Sequence, residues 1–502
     1  MPVNQRELPD EVQLVVVGAG FSGVGAAIRL KQQGIEDFCV LEKADDLGGT
    51  WRDNSYPGAA CDIPSQLYSF SFALNPDWSR SFSPQEEIWQ YLWRCVDRFS
   101  VGDHLYFGQE VLEASWDETA ARWRIQTKKG ELLAKVLVWA TGLLSEPVVP
   151  DLPGLDGFSG PIFHSAAWDH GVDLTGKTVA VVGTGASAIQ IVPELQKSVG
   201  RLFVFQRSAP WVVPRRDRAV PLAERRLFRF APPLQRLARG WMYWTREMLV
   251  PAFMHPASRW RQRGMAMARQ HLERQVPDPD LRAALTPTYQ LGCKRVLISD
   301  EYYPALCADN VELVTEAVAR LGEHSVTDAK GVERPVDAVV LATGFNASAP
   351  SFSRRIVGRE GRRLSEVWAD NGMEAYLGCT VAGFPNMFFV VGPNTGLGHN
   401  SMIFIIESQL NYLLDFLRYA DSHGIETAEV RRKVESRYNR EIQSRLAGSV
   451  WNTGGCASWY LDRRGHNTTL WPGSSYTFRR RTRRFRPADY VLQTTRKAPV
   501  AV

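Results

Sequence analysis

The chain has 502 residues, of which 44% are hydrophobic and 23% are charged, a composition typical of ordinary globular proteins. This length exceeds what one hydrophobic core usually holds, so we expect more than one domain. No run of 18 apolar residues occurs, which excludes a membrane-spanning helix of the usual kind.

The formal net charge of +5 is unevenly distributed. Segment 215–269 holds thirteen Arg, no Lys, two Glu and one Asp, and therefore carries +10 by itself. Segment 479–486 holds six Arg in eight positions. Such runs usually form solvated helix faces, and no nucleic-acid-binding motif accompanies them. We therefore predict no nucleic-acid binding, and we predict no metal site.

The seven cysteines are scattered and odd in number, and no C-x-x-C pair occurs. Residues 1–11 are polar and contain no signal-peptide core. Both features favour reduced thiols and a cytoplasmic location over a disulfide framework.

A strand–helix–strand unit is predicted at the start of the chain. The apolar run 13–18 indicates a buried parallel strand. A helix is predicted over 24–33 and a second strand over 38–42.

The turn after the first strand carries the pattern G-A-G-F-S-G, with glycines at Gly18, Gly20 and Gly23. In a dinucleotide-binding turn, the first glycine permits the bend, the second admits a pyrophosphate, and the third lets the helix pack on the strand. Glu42 ends the second strand, 24 positions after Gly18, and suits an acceptor for a ribose hydroxyl. Because an acid suits an unphosphorylated ribose, we predict that this turn binds FAD.

A similar unit begins 165 residues later, with a strand over 178–183, a helix over 186–197 and a strand over 202–206. Its turn, G-T-G-A-S-A, places Gly183, Gly185 and Ala188 at the fingerprint positions. The next strand is followed by Arg207 and Ser208 rather than by an acid. Because Arg207 can pair with a 2′-phosphate that an acid would repel, we predict NADPH rather than NADH.

Two further strands end in the tripeptide A-T-G, over 136–142 and 338–344. Each is interpreted as a point where the chain leaves one domain for the other. Between them, segment 210–287 is rich in Arg, Trp and Leu, and we predict that it is a helical insertion in the second domain.

A glycine pair, Gly48 and Gly49, is followed by Trp51. In disulfide reductases of similar build, a cysteine pair follows such glycines. Here Cys61 stands alone, so a flavin–dithiol relay is not expected.

Segment 158–169, F-S-G-P-I-F-H-S-A-A-W-D, fits the pattern F-x-G-x-x-x-H-x-x-x-W-[PD], and in this the chain resembles type I Baeyer–Villiger monooxygenases. The positions that match this fingerprint are Phe158, Gly160, His164, Trp168 and Asp169. The positions that fit the second motif of the family are Gly49, Trp51, Tyr56, Pro57, Gly58 and Asp62. The resemblance extends from residue 14 to about residue 409.

The resemblance implies a catalytic pair. In this family an arginine beside the flavin follows a lysine and precedes an apolar strand, and it pairs with the aspartate of the second motif. Segment 293–298 reads C-K-R-V-L-I, so Arg295 and Asp62 are the implied pair, and Lys294 is implied to assist Arg207 at the 2′-phosphate. An anionic flavin peroxide needs a fixed positive charge, and Arg does not lose its proton.

Together, the motifs and the resemblance predict an α/β fold with two Rossmann-like dinucleotide-binding domains. We predict an FAD-binding domain over 1–147 and 348–502. We predict an NADPH-binding domain over 148–347, with the helical insertion at about 210–287. The active site is expected in the cleft between them.

Two features leave alternatives open. His164 could act as a general base, although a role in coupling the domains is favoured. The aromatic-rich segment 241–253 is interpreted as a cap over the substrate pocket, and a helix in peripheral contact with a membrane is the alternative.

The predicted activity is the NADPH- and O2-dependent conversion of a ketone to an ester or lactone, through a flavin C4a-peroxide held by Arg295 and NADP+. One alternative is oxidation of sulfur or nitrogen, as in a thioether, which uses a protonated peroxide and needs no anion-stabilising arginine. An alternative from another class is an FAD and NADPH oxidoreductase that transfers no oxygen, and Trp51 argues against it.

Overall fold

A mixed sheet of eight strands organises the ends of the chain in the computed structural model, which describes residues 7–255 and 257–494. Its strands in spatial order are Ile356–Val357, Val111–Asp117, Arg122–Thr127, Gly130–Trp139, Glu11–Val17, Phe38–Leu41 and Leu105–Tyr106, and Met387–Phe389 also pairs with Gly130–Trp139. The strand Glu11–Val17 lies between two parallel neighbours, Phe38–Leu41 and Gly130–Trp139.

The first strand is continuously apolar over residues 14–17, where both faces of the sheet are covered. Leu14 and Val16 pack into one core, whereas Val15 and Val17 pack into another core on the opposite face of the sheet. Alternate side chains of a strand point to opposite faces, so a strand covered on both faces needs a continuous apolar run.

A second, wholly parallel sheet organises the middle of the chain. Its strands in spatial order are Val311–Val314, Arg201–Phe205, Thr178–Val182, Ala338–Leu341 and Ile162–His164. The fold is therefore α/β, with two Rossmann-like dinucleotide-binding units, as the motifs predict.

Smaller sheets and the helices complete the described residues. The remaining strands are Val318–Leu321, Ser325–Asp328 and Glu333–Pro335 in one sheet, and the pairs Val212–Val213 with Leu297–Ile298 and Ile425–Val430 with Tyr490–Thr494. The α-helices outside segment 210–287 are Phe21–Gln32, Thr50–Asp53, Gln85–Phe99, Ala188–Gln196, Tyr302–Leu306, Leu364–Asn371, Met402–His423, Arg432–Ala447, Val450–Thr453 and Ser475–Arg481. Among these residues, no helix combines the length and the apolar character needed to cross a membrane.

Segment 210–287 is mainly helical, as predicted. Its helices are Leu222–Phe230, Pro232–Glu247, Val250–Met254, Arg259–Gln275 and Pro279–Ala284. The strand Val212–Val213 was not expected from the sequence, because two residues are too short to show a period.

The chain passes between the two sheets at two neighbouring segments. Pro147 and Phe345 form an antiparallel bridge. Beside it, the N–H of Val148 donates to the carbonyl of Gly344 at 2.9 Å. The two A-T-G turns thus lead into adjacent crossings. The domain boundaries at 147/148 and 347/348 stay a prediction.

Candidate active site

The first glycine-rich turn is bent as the fingerprint requires. Gly18 has a φ of +102°, a conformation that L side chains rarely adopt, and its N–H donates to the carbonyl of Leu41 at 2.7 Å. A Cβ on Gly23 would lie 1.8 Å from the oxygen of Gly18, so only glycine fits at this position. The helix Phe21–Gln32 follows with no side-chain cap and no acid in its first turn, which leaves its N–H groups available to a pyrophosphate.

Glu42 lies at this turn and is buried. One of its carboxylate oxygens accepts from the N–H of Ala19 at 2.8 Å. The other accepts from the N–H of Ala44 at 3.1 Å and from Arg52 at 3.2 Å. Gly49 lies against Gly20, since a Cβ on Gly49 would be 3.4 Å from the Gly20 Cα. The first fingerprint, the ribose acceptor and the second motif therefore meet at one place, and this donor set fits FAD.

The second turn repeats this geometry. Gly183 has a φ of +118°, and a Cβ there would lie 2.5 Å from the carbonyl oxygen of Ala342. A Cβ on Gly185 would meet nothing within 4 Å, so its backbone faces open space. Ala188 begins the helix Ala188–Gln196, whose first turn also lacks an acid. This turn fits the approach of a second pyrophosphate.

Two cations lie together beside this second turn. The ammonium of Lys294 donates to the hydroxyl of Ser208 at 2.9 Å. Burial lowers the pKa of Lys294, and the charge of Arg207 lowers it further. In the described part of the chain, neither cation has a carboxylate within ion-pair distance. A site with two unneutralised cations and a hydroxyl fits the 2′-phosphate of NADPH.

Asp62 and Arg295 form the pair that the family resemblance implies. The Nε and an Nη of Arg295 each lie 2.6 Å from the same carboxylate oxygen of Asp62. About a third of each side chain is exposed, at 33% for Arg295 and 28% for Asp62. The Asp62 carboxylate raises the pKa of the Arg295 guanidinium above its ordinary value, against the opposing effect of burial. A permanent positive charge is therefore held at one position with an accessible edge.

Three further groups lie close enough to this pair for its charges to affect their pKa values, and no sequence motif marks them. Tyr460 is buried, and burial raises its pKa to about 12, an effect that the charge of Arg295 partly offsets. Burial lowers the pKa of Arg246, while the charge of Asp62 raises it and that of Arg295 lowers it. Tyr68 accepts a hydrogen bond at 3.0 Å from the indole of Trp51. Two tyrosines and an arginine thus lie near the Asp62–Arg295 pair.

Cys61 is next to Asp62 but is not placed for redox exchange. It is a free, buried thiol, and burial raises its pKa well above the ordinary value. A thiol that stays protonated is a poor nucleophile, and a free cysteine offers no disulfide for a flavin to reduce. The prediction that no flavin–dithiol relay operates here agrees with this environment.

The fingerprint segment is more than a linker. Its residues Ile162–His164 form the edge strand of the second sheet, paired with Ala338–Leu341. A Cβ on Gly160 would lie 2.2 Å from the carbonyl oxygen of Asp337, which explains the glycine at this position. Phe158 is buried in the core of this sheet.

His164 lies beside the second crossing of the chain. Its Nδ1 accepts from the N–H of Ala166 at 3.0 Å, and its ring meets Phe345 edge to face at 5.7 Å. Burial lowers its pKa, which the nearby Gly344 carbonyl partly offsets. This neutral, turn-capping imidazole matches the favoured coupling role better than that of a general base.

The other fingerprint positions stabilise the same segment. Trp168 packs edge to face on Phe163 at 4.8 Å. The Asp169 carboxylate accepts from the N–H of Gly171 at 2.8 Å in an exposed turn. Neither side chain contacts the Asp62–Arg295 pair directly, so we interpret both as structural.

The second motif contacts the helix that follows the second glycine-rich turn. The hydroxyl of Tyr56 donates to the side-chain oxygen of Gln190 at 2.9 Å, and the Gln190 amide donates to the carbonyl of Ala60 at 2.9 Å. Gly58 has a φ of +82°, and a Cβ there would lie 2.7 Å from the backbone oxygen of Gln190. These contacts explain the tyrosine and the glycine of the Y-P-G sequence. They pack the second motif against the helix that follows the second glycine-rich turn.

The helix Pro232–Glu247, here called the cap helix after its predicted role, is anchored by its last residue. The buried carboxylate of Glu247 accepts hydrogen bonds from Asn400 at 2.7 Å, from His399 at 3.3 Å, and from the hydroxyl and N–H of Ser475 at 2.6 and 2.9 Å. Burial alone raises the pKa of Glu247, but these donors together bring it below the ordinary value. The interpretation of segment 241–253 as a cap over the substrate pocket stays a prediction.

The expectation that every thiol is reduced is wrong for one pair. Cys293 and Cys456 form a disulfide across a sequence separation of 163 residues. It links the residue before Lys294 to the segment that leads to Tyr460. Cysteines so far apart carry no spacing signal, because only the tertiary fold brings them together. The cytoplasmic location remains a prediction.

The two glycine-rich turns and the two cations beside the second turn fit an FAD- and NADPH-dependent oxidoreductase. Residues 15–231 match the family model described as pyridine nucleotide-disulphide oxidoreductase. A Baeyer-Villiger monooxygenase of Streptomyces coelicolor is 51% identical to this chain, over 99% of this chain and 96% of that protein. A Baeyer-Villiger monooxygenase of Pseudomonas aeruginosa is 46% identical, over 96% of this chain and 92% of that protein.

Solved structures with the same fold are bound to NADP+, or to FAD and NADP. Cyclohexanone monooxygenase from Rhodococcus sp. Phi1 bound to NADP+ superposes with a TM-score of 0.86 at 28% identity, covering 97% of this chain and 100% of that one. A complex of OTEMO with FAD and NADP has a TM-score of 0.85 at 25% identity, covering 96% and 99%. The chain belongs to the Baeyer–Villiger monooxygenase family, and it is an FAD-dependent monooxygenase that uses NADPH.

Proposed function

We propose that the protein converts a ketone to an ester or lactone with NADPH and O2, and that Arg295 and Asp62 are its catalytic pair. The single observation that carries this assignment is the ion pair of Arg295 with Asp62. Two guanidinium nitrogens each lie 2.6 Å from the same carboxylate oxygen. FAD, reduced by NADPH, supplies the reaction with O2 that delivers one oxygen atom to the substrate.

The role of Arg295 follows from charge. A nucleophilic oxygen anion that attacks a ketone carbonyl is stabilised by a cation that cannot transfer a proton to it. Asp62 orients the guanidinium and raises its pKa further, while a third of the Arg295 side chain stays accessible. The buried tyrosine Tyr460, with a pKa of about 12, stays a neutral hydrogen-bond donor at pH 8.

The nucleotide-binding residues complete the proposal. Gly18, Gly20 and Gly23, with Glu42, would hold FAD through the helix N-terminus and the ribose acceptor. Gly183, Gly185 and Ala188 would hold the NADPH pyrophosphate, with Arg207, Ser208 and Lys294 at its 2′-phosphate. Gly49 and Trp51 would border the flavin, since Gly49 lies against Gly20 and Trp51 donates to Tyr68.

The test compares Arg295→Ala with the wild type on a ketone and a thioether side by side. We expect ester formation to fall at least about 100-fold, as it does when a donor to a reacting anion is removed. FAD content, read from visible absorbance, should stay at the wild-type level. Sulfur oxidation needs no fixed cation, so any sulfoxide formed by the wild type should persist in the variant.

Arg334→Ala is the matched control, because Arg334 is also an ion-paired arginine, held by Glu312 and Asp328 at 2.9 Å. It lies in the strand Glu333–Pro335, outside the site. Ester formation by this variant should equal that of the wild type. Wild-type ester formation by Arg295→Ala would refute the catalytic role of Arg295.

A further inference from the structure

The cap helix Pro232–Glu247 presents an apolar face to solvent. Leu237 and Trp241 are 69% and 74% exposed, and Trp244 and Met248 are also exposed. These positions recur at helical spacing and so form one stripe. Phe230, 84% exposed, ends the preceding helix Leu222–Phe230. A helix at a protein surface normally turns such a stripe inward, so its exposure here indicates a contact surface.

The orientation of this helix is fixed by its opposite, polar face. Gln235 is buried and donates to the side-chain oxygen of Gln66 at 2.8 Å and to the carbonyl of Asn75 at 2.7 Å. Arg239 donates to the carbonyls of Gln66 at 2.6 Å and Ser69 at 2.9 Å. Rotating the helix to bury the stripe would break these buried hydrogen bonds, so the stripe stays outside.

A cationic cavity adjoins the stripe. It has a volume of about 180 Å3, and its lining includes Arg29, Arg418, Arg479 and Arg483. Asp415 pairs with Arg418, whereas within residues 7–255 and 257–494 no carboxylate lies in ion-pair range of Arg479 or Arg483. Unneutralised guanidinium groups in a concave site fit a phosphate oxyanion.

The stripe and the cavity are continuous through aromatic contacts. The ring of Trp244 lies 5.7 Å from that of Tyr476, which is in the helix Ser475–Arg481 that carries Arg479. Arg479 in turn lies over the ring of Phe404 at 4.8 Å, and Phe404 stacks on Tyr243 of the cap helix at 4.9 Å.

We propose that this combined surface, the apolar stripe of the cap helix with the neighbouring arginine cavity, docks onto a membrane that contains anionic lipids. Indole rings at a helix surface suit the interfacial region of a bilayer, and arginines bind its phosphate headgroups. Arg226 and Arg236, on the two helices that carry the stripe, are exposed and have no carboxylate in ion-pair range among the described residues, so their charge complements an anionic leaflet. The helix lies on the bilayer and does not cross it.

Charge also favours an anionic bilayer over a second copy of the chain as the partner of this surface. A twofold dimer contact presses the same patch of each subunit against itself. That arrangement would bring Arg226 and Arg236 of one copy close to those of the other, at an electrostatic cost. An anionic bilayer neutralises them instead.

Docking would bring the bilayer against the cap of the active site. Arg246, near the end of the cap helix, is close enough to Asp62 and Arg295 for both charges to affect its pKa. The bilayer contact and the Asp62–Arg295 pair therefore lie on opposite sides of one helix.

The test is sedimentation of the intact protein with vesicles of phosphatidylcholine alone or of phosphatidylcholine and phosphatidylglycerol in equal parts. We expect binding to the mixed vesicles that is at least 10-fold stronger than to the neutral ones and that weakens with salt. The double variant Leu237→Ser/Trp241→Ser and the double variant Arg479→Gln/Arg483→Gln should each lose at least 10-fold in binding.

Matched controls replace exposed residues elsewhere: Leu112→Ser with Val149→Ser for the apolar set, and Arg320→Gln for the charged set. These should bind as the wild type does. As a measurement that needs no variant, hydrogen exchange of segment 232–248 in the wild type should slow when mixed vesicles are added.

Equal binding to neutral and mixed vesicles, no binding to either, or unchanged exchange of segment 232–248 would overturn the proposal. So would a dimer in analytical ultracentrifugation that Trp241→Ser converts to a monomer, because the stripe would then be covered by a second copy. Binding of an acidic protein with no vesicle binding would also overturn it.

Discussion

The anchor of the cap helix gives a prediction whose size follows from the contacts of Glu247. Its carboxylate is 4% exposed and accepts four hydrogen bonds, from His399, Asn400 and Ser475. In Glu247→Gln, an amide N–H would face donors in place of one carboxylate oxygen, leaving buried donors without a partner. Such a loss costs about 3 kcal/mol in the free energy of local opening, which is about a 100-fold larger opening constant.

Hydrogen exchange with mass spectrometry reads this opening directly. Amides of the helices Pro232–Glu247 and Ser475–Arg481 should exchange about 100-fold faster in Glu247→Gln than in the wild type. The control is Glu224→Gln, which removes an exposed ion pair with Arg218 and should change exchange by less than about fivefold. Equal exchange in the two variants would refute the anchoring role of Glu247.

Two further predictions concern stability and cofactor choice. Burial raises the pKa of Glu435 from 4.5 to about 7. Between these two pH values the folded state holds more protons than the unfolded state. The free energy of unfolding therefore falls as pH rises, by about 3 kcal/mol. Glu435→Gln should therefore raise the melting temperature at pH 8 but not at pH 5, and an equal effect at both pH values would contradict this. Arg207→Ala should raise the KM for NADPH about 10- to 100-fold and leave the KM for NADH unchanged, and Lys294→Gln should act in the same direction. A parallel rise for both nucleotides would exclude a 2′-phosphate contact.

Local patterns predicted the parts of this protein that local physics determines. The bend at Gly18, the close packing at Gly23 and the position of Glu42 follow from a strand–turn–helix of fixed geometry, so spacing alone predicts them. Arg207 was readable as a residue just after a predicted strand, whereas the place of Lys294 beside it came from the family resemblance. The Asp62–Arg295 contact came from the family resemblance, not from spacing.

The sequence could not predict contacts made between distant segments. Tyr460 reaches Arg295, and Glu247 reaches Ser475, through the tertiary fold, and neither position lies in a periodic or motif-like pattern. The Cys293–Cys456 disulfide has the same origin. The edge strand Ile162–His164 was not predicted for another reason, because three residues are too few to show an alternation of apolar and polar side chains.

The most direct test of the central claim is the reaction of the wild-type protein with a ketone, NADPH and isotope-labelled O2. Mass spectrometry of the product should find one labelled oxygen atom in each ester or lactone, with consumption of one NADPH per product. Labelled water with ordinary O2 should leave the inserted oxygen unlabelled. NADPH consumption that yields only hydrogen peroxide, with no labelled ester from linear, cyclic or aryl ketones, would contradict the account.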